Sequence, residues 1–147
     1  MKPDAHKSQM IEYMDAAEED VRSAQALLSM KIPAYHNMCM LSARSSEKML
    51  KARLIFEGKE IEWAHDQRKL VRELGDFDGC SRAMEIARAL SPYAVQANYP
   101  SAVRSNLDDE DASEAYGMAM EIISMVHPYG IRNSSNDDRG DESISEN

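Results

Sequence analysis

A histidine and an aspartate stand side by side in the stretch Trp63 to Leu70, WAHDQRKL, with Arg68, Lys69 and Arg72 close behind. The imidazole of His65 titrates near neutrality and has two ring nitrogens, so it can contact an anion or move a proton. Asp66 can accept backbone N–H groups at a helix start, and capping alone accounts for it. The basic residues that follow favour anion contact over proton transfer. Upstream, Arg44, Lys48 and Lys51 stand at i, i+4 and i+7 with Glu47 among them, which on a helix is one face about two turns long. That face can hold a phosphate, although charged faces are routine on surface helices and a solvated stripe balanced by Glu47 and other acids is the more common case.

Other chemistries find less support. His6, His36, His65 and His127 are scattered singly, without the i, i+4 spacing that sets two metal ligands on one helical face, and no metal is expected. There is no Gly-rich phosphate loop and no recognisable nucleophile triad, so no cofactor or catalytic residue is assigned. Cys39 and Cys80 lack CxxC spacing and read as small hydrophobes rather than a disulfide. Met10, Met14, Met30, Met38, Met40 and Met49 fall at helical spacing, as a core or a helix-to-helix dimer contact does. Tyr93 and Tyr99 flank a loop, where a ring beside a basic site can stack on a base or simply pack on the bundle.

Charge sharpens the choice. The chain of 147 residues carries a net −9, which opposes loose binding to bulk nucleic acid. Yet Ser42 to Arg72 holds eight Lys and Arg against five Asp and Glu, so an anion site belongs in this middle third. No segment has the length and apolarity of a signal peptide or a membrane span, which leads us to expect a cytoplasmic protein off the membrane.

The elements that must position these residues are helices. Eleven Met but only 6 Gly, with abundant Ala, Leu and Glu, favour an all-α chain. Ile11, Met14, Ala17, Val21, Ala24 and Leu28 recur every three or four residues and predict a helix from Ser8 to about Met30. A second should start in the turn opened by Pro33 and stop at Gly58, forming an antiparallel hairpin with the first. A short third helix should run from His65 or Asp66 to Gly75, with Trp63 a core anchor before it. The fourth should span Cys80 to Ala97, kinked or divided by Pro92. The acids of Leu107 to Asp111 should cap and open a last helix that ends at His127-Pro128-Tyr129-Gly130. We therefore expect an up-and-down bundle of four to five helices over residues 1–130 and a disordered acidic tail over 131–147.

In order and separation, "AAEEDVRSAQALL", "HNMCMLSARSSEKMLKARLIFEGKE", "HDQRKLVREL", "PYAVQANYPSA" and "LDDEDASEAYGMAMEIISMV" resemble the HEPN domain, the higher eukaryotes and prokaryotes nucleotide-binding family. Ser46-Glu47-Lys48 with Lys51, His65-Asp66 and Tyr99-Pro100 carry the likeness. It implies a helical bundle, a homodimer, and a nucleotidyltransferase partner in a toxin-antitoxin arrangement. Ribonuclease members of this family use an Arg followed after four to six residues by a His, and no histidine here has an arginine so placed. Asn98 also stands where the family tends to have Arg before Tyr-Pro. The resulting expectation is a non-catalytic module that binds a nucleotide or other phosphate-bearing ligand through Arg44, Glu47, Lys48, Lys51, His65, Asp66 and Tyr99. The alternatives are a ribonuclease toxin with a displaced site built from His65 and nearby arginines, or a purely structural dimer.

Overall fold

The computed structural model describes residues 3–61, 66–94 and 106–130. Two long helices, α1 (Pro3–Leu28) and α2 (Tyr35–Phe56), form the expected antiparallel hairpin. After it come α3 (Gln67–Leu74), α4 (Cys80–Ala94) and α5 (Asp109–Val126), and the described residues contain no strand. The molecule is thus an all-α bundle, and none of its described helices is long and apolar enough to cross a membrane.

α2 is the central element, because it packs against each of the other four helices. Its sequence suits that position. Met38, Met49, Leu50 and Leu54 supply bulk at 0–1% exposure, while Cys39, Ala43, Ser45, Ser46 and Ala52 are fully buried residues small enough to admit close neighbours. The serines are accommodated by hydrogen bonds, with Ser45 donating back to the Ser42 carbonyl at 2.7 Å. The Cys39 thiol is pushed up to about 12, by burial first and then by Asp111 and Asp108, so it stays protonated as the expected small hydrophobe. Cys80 is likewise a free thiol, half-buried.

The helix ends follow local chemistry. α2 closes in a Schellman arrangement: the Gly58 N–H reaches the Ile55 carbonyl at 2.9 Å and the Lys59 N–H reaches Leu54 at 2.9 Å. Gly58 adopts φ 75°, a region costly to a residue with a Cβ. α5 opens on a capping box, in which Asp108 Oδ1 accepts from the Asp111 N–H at 2.9 Å and Asp111 Oδ2 accepts from the Asp108 N–H at 3.1 Å. α2 itself begins at Tyr35 rather than in the turn of Pro33. Its N-cap is Ala34, which has no side-chain oxygen to bind the first N–H groups.

Two expectations about α1 are corrected. The helix starts at Pro3, five residues before the expected start at Ser8, and proline suits a first turn whose N–H groups lack intrahelical partners. Its buried line is Met10, Met14, Ala17 and Ala24, while Ile11 is 39% and Leu28 52% exposed. Ile11 lies about 100° around the helix from Met10 and so misses the seam with α2. Met30 is also exposed, so the methionine run divides between core and surface. α4 continues through Pro92 into its last turn, where the missing N–H forfeits a single helical bond. Trp63, residues 95–97 and the tail at 131–147 lie outside the described residues.

Candidate phosphate-binding face

The stripe at Arg44, Lys48 and Lys51 is a single face in sequence, but the three cations have different surroundings. Arg44 is exposed and makes no ion pair among the described residues. Lys48 reaches across the hairpin to Asp20 on α1, Nζ to Oδ2 2.7 Å, with the lysine side chain 31% and the aspartate 14% exposed. Lys51 points inward instead and meets Glu47 one turn back at 3.1 Å, with the two side chains only 8% and 9% exposed. Lys48 and Lys51 therefore each have a carboxylate at hand, while Arg44 has none among the described residues. An anion arriving here would meet Arg44 first and could share Lys48 with Asp20, because that lysine remains partly open to solvent.

The start of α3 is brought to the same level of α2. Gln67, fully buried, donates from Nε2 to the Ala43 carbonyl at 2.8 Å and accepts from Ser46 Oγ at 2.6 Å. Its backbone N–H donates to Ser91 Oγ on α4 at 2.9 Å. One residue thus ties α3 to both neighbours immediately beside Arg44 in the α2 sequence. Gln67 carries no charge and so stands outside the charged motifs, although a signal for it was present in the sequence. It shares the i, i+3, i+4, i+7 line of Leu70, Val71 and Leu74, and a polar residue on an apolar stripe marks a buried hydrogen-bonding link.

Asp66 is the N-cap of α3: its Oδ1 accepts from the Arg68 N–H at 3.1 Å. The Arg68 side chain also forks onto the carboxylate, at 3.0 Å from Nε and 2.9 Å from the terminal nitrogen, and holds its pKa below the ordinary value. This carboxylate is structurally occupied, and Arg68 with it. His65 and Tyr99, the remaining members of the expected site, lie outside the described residues. Within the described residues no three His, Cys, Asp or Glu side chains gather as a metal site.

The comparisons with known proteins agree with this architecture. The model of the HEPN domain matches residues 10–129. No curated protein sequence gives a match. Among solved structures, the crystal structure of TT1696 from Thermus thermophilus superposes with a TM-score of 0.71 at 24% identity, covering 80% of this chain and 95% of that one. At that identity the superposition speaks for the fold alone. The family match spans the hairpin, the Ser46-Glu47-Lys48 step, the capped α3 and the closing helix, and on that basis the chain belongs to the HEPN domain family.

Proposed function

We propose that this chain is a non-catalytic HEPN module that binds a nucleotide or another phosphate-bearing ligand beside Arg44, and that it works in the cytoplasm as a homodimer with a nucleotidyltransferase partner. The observation that carries the ligand reading is the exposed Arg44 guanidinium, which makes no ion pair among the described residues and is set next to a partly exposed Lys48 in the most basic segment of an acidic chain. A guanidinium fork matches phosphate geometry, and Lys48 adds a second charge if the phosphate draws it from Asp20. The non-catalytic reading rests on the sequence, in which no histidine follows an arginine at the spacing of the family's ribonucleases.

Calorimetric titration with ATP tests the ligand. Binding to the wild type should weaken about tenfold in Arg44→Ala, the loss of one charge-assisted contact, and be unchanged in Arg88→Ala, which removes an exposed arginine from α4. Absence of binding to the wild type, or equal binding by all three proteins, sinks the ligand reading. Lys51→Ala is a poor probe, because it leaves the buried Glu47 carboxylate without its lysine. Incubation with mixed RNA under the same conditions should leave the RNA intact, whereas cleavage abolished by His65→Ala would establish the ribonuclease alternative.

A further inference from the structure

A cleft of about 390 Å³ opens between α1 and α5, with Met49 of α2 beneath it. Its floor is apolar: Val21 from α1, Met120 and Ile123 from α5, and the fully buried Met49 of α2 at the base. Its rim is polar and comes from Glu18 and Arg22 on α1 and His127 at the end of α5. The volume is at the small end of the roughly 300–1,000 Å³ typical of small-molecule pockets, and an apolar floor with a few convergent polar groups is their usual construction.

The rim groups are not fully used by the protein. Glu18 and Arg22 stand at i, i+4 in the order that favours a helical ion pair. Glu18 turns instead to His127, Oε1 to Nε2 3.5 Å, and Arg22 makes no ion pair among the described residues. The orientation of His127 is fixed from its other side, because Nδ1 accepts the Tyr129 N–H at 3.2 Å. In the neutral ring the proton therefore sits on Nε2, aimed toward Glu18 and the cleft. At 3.5 Å from the carboxylate, that N–H is beyond the usual range of about 2.7–3.2 Å and keeps donor capacity. A guanidinium and an imidazole N–H thus line the same cleft over an apolar floor.

We infer that this α1–α5 cleft binds a small amphipathic anion, a carboxylate or phosphate monoester whose head meets Arg22 and His127 Nε2 and whose unbranched apolar body lies on Val21, Met120 and Ile123. The site is separate from the Arg44 face and does not depend on it. A partner helix laid in the same groove would use the floor but has no need of an exposed guanidinium at the rim.

Octanoate, octyl phosphate and octanol are the probes, titrated calorimetrically against the wild type, Arg22→Ala, Met120→Glu and Arg88→Ala, with thermal melts to confirm folding. Octanoate or octyl phosphate should bind the wild type and Arg88→Ala alike, and about tenfold more weakly to Arg22→Ala. Octanol should bind more weakly than octanoate to the wild type and be indifferent to Arg22→Ala. Met120→Glu, which sets a carboxylate in the cleft, should abolish anion binding. Failure of both anions to bind the wild type overturns the inference, as does binding unaltered by Arg22→Ala and Met120→Glu. Self-association lost in Met120→Glu, without anion binding, would overturn it in favour of a helix-docking groove.

Discussion

The Ser46 hydroxyl donates to the Gln67 side-chain oxygen at 2.6 Å across the α2–α3 interface, where both residues are fully buried. The same amide donates to the Ala43 carbonyl, so Gln67 replaces its lost water with two protein partners. Gln67→Leu should destabilise the fold by about 2 kcal/mol, because the Ser46 hydroxyl then loses its acceptor in a dry interface. Ser46→Ala combined with Gln67→Leu should recover part of that loss, since removing both partners leaves less unsatisfied than removing one. Urea unfolding of the two single variants and the double variant measures the coupling. Strict additivity would mean that the bond contributes nothing specific.

Asp66 gives a prediction with a sign in pH. Its carboxylate is held below the ordinary value, first by the Arg68 side chain and then by the Arg68 backbone N–H. A carboxyl lower in the folded than in the unfolded chain contributes stability that is present above its unfolded value, about 3.9, and lost as pH falls through the folded one. Asp66→Asn keeps a capping oxygen but cannot ionise, so the wild type should exceed it in stability at neutral pH and converge with it at strongly acid pH, once the folded carboxyl is protonated. Asp66→Ala removes the cap as well and should cost about 1 kcal/mol at pH 7. Urea midpoints at the two pH values decide, and an Asn variant whose deficit does not shrink on acidification would remove the ionic part of the account.

Much of the fold was legible because its signals are local. Gly58, Gly75, Asp66 and Asp108 end or open helices by chemistry contained within a few residues, and each stands where the sequence places a boundary. The facing of α1 was less legible. Ile11 is as apolar as its neighbours, and only the position of α2 selects Met10 over it for burial. The candidate site shows the same division. The shared face of Arg44, Lys48 and Lys51 follows from helical spacing, but the carboxylate opposite Lys48 is Asp20, on another helix, and no spacing rule points to it. His127 and Glu18 are farther apart still in sequence, so the cleft they rim leaves no local trace.

The ion pair between Lys51 and Glu47 has the largest expected effect on stability. Both side chains are at least nine-tenths buried, so each charge depends on the other for much of the solvation it lost. Lys51→Met keeps the apolar stem and deletes the charge, and it should cost about 3 kcal/mol because it removes a cation from beside a buried carboxylate. Glu47→Gln together with Lys51→Met removes both charges and should be markedly more stable than the single Lys51→Met variant, since the buried carboxylate charge goes with its lysine. Arg44→Ala on the exposed part of the same face should change stability by no more than about 0.5 kcal/mol. Denaturant titrations of these three proteins therefore separate a buried charge pair from an accessible cation on one helix. If Lys51→Met were as mild as Arg44→Ala, Lys51 would be free to serve a ligand alongside Arg44 and Lys48, and the face would offer an arriving phosphate a third charge.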